Sequence, residues 1–252
     1  NITTYLSEGG FELRKWETND NAMRDFLYQN KEINQPCNPE EKIGRKNVRK
    51  VLGLNWNSEN DEILFDFKNI VDQEHNLNCT KRNVLKVGAS FFDPLGLINP
   101  VTLQAKLLFK SVCEKKLDWD DELPEPLLKN WKDFSYSLKS LSFTIPRCVF
   151  YSENVFSFIQ LHEFADSSNQ AYAAVVYVRF VTNNDIKVNF LTSNTRVVLT
   201  KPITIPRLEL LSCLLLSKLM KTVVESIKHE ITIDRSFCWT DSKIAYNCIT
   251  QI

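Results

Sequence analysis

The chain lacks a charge bias. Lysine plus arginine and aspartate plus glutamate each number 31 in 252 residues, so overall charge argues neither for nor against a polyanionic partner, and local clusters must decide. It also lacks paired cysteines. Cys37, Cys79, Cys113, Cys148, Cys213, Cys238 and Cys248 form no C-x-x-C pair and have no histidine at zinc-ligand spacing, a pattern that fits a reduced, intracellular chain, with a cytoplasmic particle and the nucleus both open. There is no long uninterrupted apolar run. The longest apolar stretch, Leu208 to Met220, is broken by Glu209, Ser212, Ser217 and Lys218, which argues against a membrane span. No basic and apolar leader opens the sequence; it begins at Asn1, and its last residues run on in a helical pattern, so both ends read as cut. What is present is 43% hydrophobic and 11% aromatic residues, enough to bury a core and exclude disorder, in one large domain or two small ones.

The patterning changes three times along the chain. Residues 11 to 30 read as a short strand and a helix, and a Pro/Asn-rich loop follows from Asn34 to Pro39. Arg49 to Trp56 and Glu62 to Phe67 then read as two strands of a hairpin, with Gly53 inside the first marking a bulge or the close approach of another backbone. From Thr80 to Lys116 the pattern is helical, punctuated by Asp93-Pro94-Leu95-Gly96 and Asn99-Pro100, with Leu103, Leu107, Leu108 and Val112 at helix spacing. After an acidic, proline-containing break, Pro126 to about Leu141 predicts a helix burying Leu128, Trp131, Phe134 and Leu138. Ile145-Pro146 disfavours continued helix and marks the change to period-2 patterning.

Beyond Ser152 the order is strand, strand, strand, helix, strand, helix, which is an α/β layout. Val155 to Asp166, Ala171 to Phe180 and Ile186 to Thr192 read as an antiparallel meander joined by Asp/Ser/Asn turns. A long helix follows, with Thr204 as its cap, Pro206 in its first turn, and Leu208, Leu211, Leu215, Leu219 and Val223 as its buried stripe. Phe237 to Asp241 is the last strand, and Ser242 caps the helix after it.

Three acids sit where these strands end or a helix begins: Asp166, Glu209 and Asp241. Carboxylates from separate elements that converge on one sheet edge suit a pair of hard cations, Mg2+ or Mn2+, and two-ion phosphodiester hydrolysis needs such a set. Polar strand ends and solvated helix faces are the plain alternative for each acid alone. Glu209 stands apart, because helix spacing puts it with Cys213, Leu216 and Met220, where an unpaired charge is costly. A metal would offset that cost, and so would an ion pair to Arg207 or Arg196. Basic residues cluster elsewhere: Arg45, Lys46, Arg49 and Lys50, then Lys81, Arg82 and Lys86, near Trp16 and Trp56. They read either as a track for a phosphate backbone or as a solvated face.

Seven segments, in order, resemble one family. They are Gly9 to Trp16 (GGFELRKW), Lys50 to Trp56 (KVLGLNW), Thr80-Lys81-Arg82, Phe92 to Leu97 (FDPLGL), Phe164 to Arg179 (FADSSNQAYAAVVYVR), Thr204 to Leu211 (TIPRLELL) and Trp239 to Ser242 (WTDS). Together they resemble BEL/Pao retrotransposon polyproteins over nearly the whole chain. The resemblance implies the end of a reverse transcriptase palm with a primer-gripping hairpin over residues 1–75, a helical thumb or connection over 76–150, and a ribonuclease H-like mixed sheet with helices over 151–252, incomplete at its C-terminal end. It also implies that Asp166 bridges two Mg2+ or Mn2+ ions, that Glu209 and Asp241 hold the ion on the leaving-group side, and that a fourth acid belongs on a helix beyond Ile252.

The nucleic-acid contacts expected on the same grounds are Arg45, Lys46, Arg49, Lys50, Lys81, Arg82, Arg196 and Arg207. The partners implied are an RNA–DNA hybrid, a template-primer, and the polymerase and integrase parts of the polyprotein, with no membrane. Two departures bear on this. No Y-x-D-D motif occurs, and Asn194 in Ser193-Asn194-Thr195-Arg196 stands where relatives usually carry lysine. A chain with three of four acids is expected to bind metal weakly and to cut poorly or not at all. A decayed or domesticated element that binds nucleic acid or protein without catalysis is the main alternative. The aspartic peptidase chemistry linked with this family needs Asp-Thr-Gly or Asp-Ser-Gly, and neither occurs; Asp166 is followed by Ser167-Ser168.

Overall fold

A computed structural model describes residues 2–12, 16–29, 48–75, 78–150, 156–182, 185–199 and 203–250. The expected loop from Asn34 to Pro39, Cys37, and the basic residues Arg45 and Lys46 lie outside the described residues. The chain forms two compact units, one from Asn1–Asp66 with Ser142–Cys148 and one from Phe67–Leu141 with Val149–Ile252.

The first unit holds α1 (Ile2–Glu8), α2 (Asn21–Gln29) and a four-stranded antiparallel sheet of β1 (Val48–Val51), β2 (Leu54–Asn57), β3 (Glu62–Asp66) and β4 (Ser142–Pro146), in that order. The strand expected from Arg49 to Trp56 is therefore two strands. Leu52 and Gly53 both take positive φ, 48° and 88°, the geometry of a two-residue hairpin turn, and Gly53 serves that turn rather than a bulge. The strand expected near residue 11 is absent from the described residues of that segment. β4 was not foreseen; it pairs Phe143 with Phe65, whose rings stack at 5.3 Å between centroids.

The second unit begins with four helices, α3 (Lys68–His75), α4 (Lys81–Ala89), α5 (Asn99–Glu114) and α6 (Glu125–Lys139). Thr80 caps α4 by accepting from the Asn83 amide at 3.4 Å. Phe67, Phe91, Phe134 and Trp131 form a chain of ring contacts from 5.8 to 6.4 Å between centroids. α6 buries Leu127, Trp131, Phe134, Ser135 and Leu138, so the expected stripe holds except that Leu127 replaces Leu128. In α5 the most buried positions are Asn99, Thr102, Ala105 and Val112 rather than the leucines. The small residues let that helix lie close to its neighbours.

The unit continues as β5 (Phe158–Ser167), β6 (Ala171–Val181), β7 (Ile186–Val197), α7 (Ile205–Ile227), β8 (Arg235–Trp239) and α8 (Lys243–Thr250). The sheet order is β7-β6-β5-β8, antiparallel except that β8 returns through α7 to lie parallel to β5. The α/β expectation is met. Period-2 alternation puts Leu161, Ala165, Ala174, Val176, Val178 and Phe180 on the face covered by Leu215, Leu216 and Val223 of α7. Leu161, Val176, Val178 and Phe180 have no exposed surface, and each such burial contributes about 1.5–3 kcal/mol.

The segment Phe92 to Leu97 joins the helices to this sheet. The Asp93 carboxylate accepts from the Leu97 and Ile98 amides at 2.7 and 2.9 Å, closing the turn. The Leu95 carbonyl accepts from the Ser193 amide at 3.1 Å and the Thr192 hydroxyl at 2.8 Å. Gly96 has φ of 71°, and a Cβ there would lie 2.0 Å from the Ser193 carbonyl oxygen, so no other residue fits.

Candidate metal centre

Asp166 lies one residue from the end of β5, Asp241 lies between β8 and α8, and Glu209 lies in the second turn of α7. Each of the three can offer a carboxylate oxygen such that all three oxygens lie within 4.8 Å of one another. β5 and β8 are parallel neighbours ending on the same side of the sheet, and α7, which connects β7 to β8, packs against β5, so strand polarity and the crossover bring the acids together. Asp166 and Asp241 are exposed; Glu209 is buried. Asp241 stands two residues beyond β8 rather than closing it, and the Ser242 hydroxyl behind it accepts from the Ala245 amide at 3.2 Å, capping α8. At α7, Thr204 occupies the cap position but makes no side-chain capping bond.

Glu209 forms no ion pair with Arg207 or Arg196, and its Oε2 is buried without a hydrogen-bond partner among the described residues. A buried glutamate with one unpartnered oxygen, grouped with two exposed aspartates, is a donor set of hard oxygens. The residues present therefore fit Mg2+ or Mn2+ rather than a soft metal.

Below the acids lies a second polar layer that the sequence reading missed. Glu163 of β5 has no exposed surface; its Oε2 accepts from the Cys238 thiol at 2.9 Å and its Oε1 has no partner. Burial pushes the Glu163 carboxyl upward, against the smaller opposing effect of the thiol bond. Burial, and then Glu163 itself, push the Cys238 thiol up to about 12. Cys213, one turn after Glu209, is likewise raised by burial. The parity of Leu161, Glu163 and Ala165 was the available signal: a glutamate in phase with two core residues.

The basic residues separate. Arg49 pairs with Glu17, whose other oxygen accepts from Ser58, and Lys50 is exposed beside the Leu52-Gly53 turn. Arg82 makes two bonds to Asp120 at 2.7 and 2.9 Å, and Lys81 donates to the Leu117 carbonyl with its ammonium 4.8 Å from the Trp119 ring centre. These four are engaged within the chain or lie in the first unit. Arg196 and Arg207 are exposed in the same sheet-and-helix region as the acids. Arg196 pairs with Tyr172, itself the partner of Ser167, one row beyond Asp166, and Arg207 precedes Glu209 by two residues.

The chain matches the family described as Pao retrotransposon-like RNaseH-like domain over residues 80–242, more than half of its length. No curated protein matches it. Among solved structures it resembles the foamy viral protease-reverse transcriptase in complex with dsDNA, at 9% identity and a TM-score of 0.43, covering 82% of this chain and 39% of that one. A second foamy viral structure, the protease-reverse transcriptase dRH in complex with dsDNA, gives 11% identity and a TM-score of 0.42, covering 82% of this chain and 33% of that one. The chain thus spans well under half the length of either. Among the described residues no helix is long and apolar enough to cross a membrane.

Proposed function

This chain belongs to the Pao retrotransposon-like RNaseH-like domain family, and from that premise we propose that Asp166, Glu209 and Asp241 form a divalent-metal site for cutting the RNA strand of an RNA–DNA hybrid. The observation that carries the reading is the convergence of three carboxylates from three elements within 4.8 Å, with a buried Glu209 oxygen left unpartnered. When bound, a pair of Mg2+ or Mn2+ ions would supply an activated water and neutralise charge on the leaving oxygen. Asp166, exposed near the end of a central strand, would hold the ions together with Glu209 and Asp241. Glu209 and Asp241 complete the set from either side. The Asp166 Oδ1 already accepts from the Ser167 amide at 2.6 Å, which orients that carboxylate before any ion arrives.

Among the described residues of the expected set, Arg196 and Arg207 are the ones exposed in the region of the acids, which suits them to meet a phosphate backbone there. The same reading assigns residues 1–75, with the hairpin, to the end of a polymerase palm, and residues 76–150 to a helical thumb or connection. The test is calorimetric titration with Mn2+ together with cleavage of a labelled RNA–DNA hybrid. Binding by the wild-type chain that is lost in Asp166→Asn supports the site. Equal binding by both would refute it.

A further inference from the structure

Glu163 and Cys238 are in-register partners on the parallel strands β5 and β8, joined by a thiol-to-carboxyl bond of 2.9 Å. Three residues on from that pair stand Asp166, on β5, and Asp241, two residues past the end of β8. On α7, Cys213 follows Glu209 by one turn, and its thiol lies close enough to act on Cys238. Each element that carries an acid thus sends a side chain to the layer beneath. From β6 the neighbour of Glu163 is the apolar Val176, and the titratable group on this carboxyl is Cys238 from β8; Cys213 of α7 acts in turn on Cys238, and Glu209 on Cys213.

A glutamate here is unfavourable for folding alone. It has no exposed surface, one oxygen unpartnered, and the core residues Leu161 and Ala165 in phase with it, so a valine would fill the position at less cost. Something other than packing has to account for it. We propose that Glu163 is a positioning residue: its bond to Cys238 latches β5 to β8 and sets the separation of Asp166 and Asp241 for the cations they hold. The inference rests on the metal reading of those acids. The latch joins the strands at a fixed register, three residues short of the site, where a sideways shift would pass directly to both carboxylates. Among the described residues β8 pairs with β5 alone, so the bond supplies a restraint that sheet pairing gives the inner strands twice.

The experiment uses the whole chain, Mn2+ alone, and four proteins: wild type, Glu163→Gln, Glu163→Val and Asp166→Asn. Glu163→Gln keeps a carbonyl oxygen for the Cys238 thiol and is expected to bind Mn2+ within about twofold of wild type. Glu163→Val, folded by its melting curve, is expected to bind about tenfold more weakly, the size of effect seen when the support of a metal ligand is removed. A second readout is independent of metal. Cys238 is exposed at the edge of the sheet and its thiol donates to Glu163, so its alkylation by iodoacetamide at pH 8, located by mass spectrometry, is expected to be slower in the wild type than in Glu163→Val. Mn2+ affinity unchanged in folded Glu163→Val, with Asp166→Asn inactive in binding, would overturn the positioning role and leave the metal site standing. Equal alkylation rates in the wild type and Glu163→Val would show that no latch exists. Absence of Mn2+ binding in the wild type would overturn the metal reading and the positioning role together.

Discussion

The two four-stranded sheets treat charge in opposite ways. In the first, Asp61 and Glu17 each have a cation or donor against them: Arg147 forks onto Asp61, which also accepts from the Trp56 indole at 2.9 Å, and Arg49 meets Glu17. Partial burial pushes the Asp61 carboxyl upward, but the bonds from Arg147 and Trp56 outweigh it and hold the group below the usual carboxylate range. In the second sheet, Asp166, Glu209 and Asp241 converge with no cation paired to them among the described residues, and Glu163 beneath them is raised. Compensated charge in one region and uncompensated charge in the other separate an architectural use of carboxylates from a ligand-binding one.

The sharpest way to break this comparison is to neutralise the uncompensated set. Asp166→Asn or Asp241→Asn is expected to weaken Mn2+ binding by more than about a hundredfold, since losing one of three carboxylates removes more than an outer-shell change would. The melting temperature without metal should stay level or rise. A comparable loss of binding from Asp61→Asn would erase the distinction.

Next in size is Glu209→Leu. Removing a buried oxygen without a partner should stabilise the metal-free chain by about 1–3 kcal/mol while abolishing Mn2+ binding, and a differential melting curve checks both with and without the ion. Destabilisation would mean that Glu209 has a structural partner.

Opposite pH responses provide the third test. Glu163 has a folded value raised above its ordinary 4.5, so its contribution is greatest below that value and is lost as pH rises from there through the folded value. Asp61 is lowered from 3.8, so its contribution is present above that value and is lost as pH falls through the folded one. Glu163→Gln should therefore flatten the alkaline side of a stability profile, and Asp61→Asn the acid side. Identical profiles for the two variants would remove the contrast. The smallest effect expected is that of Arg147→Ala, about 1 kcal/mol or less because the guanidinium is half exposed, measured by urea unfolding.

What the sequence disclosed follows from which interactions are local. The meander, the long helix and the cap at Ser242 depend on alternation, helix spacing and short-range capping, and these are written within a few residues. Asp166, Glu209 and Asp241 were legible because strand ends and helix starts carry positional meaning, and the resemblance ordered them. The break at Leu52-Gly53 was missed because a glycine flanked by leucines reads equally as a bulge and as a turn. β4 was missed because Ser142–Pro146 gains its partner from Glu62–Asp66, far away in the chain. The Glu163 and Cys238 pair was hidden for the same reason: its two halves lie 75 residues apart.

The turn Phe92 to Leu97 has a consequence for self-association. An edge strand normally offers a row of unused amides and carbonyls to any other strand that drifts alongside. Along β7 the Ser193 amide is already spent on the Leu95 carbonyl, the Ser193 hydroxyl donates to the Gly96 carbonyl at 2.6 Å, and a bulge near Thr192 disturbs the pleat where β7 meets β6. Around Ser193 that border of the sheet is occupied by the chain's own loop. A second molecule seeking to extend the sheet along β7 would have to displace that loop at Ser193.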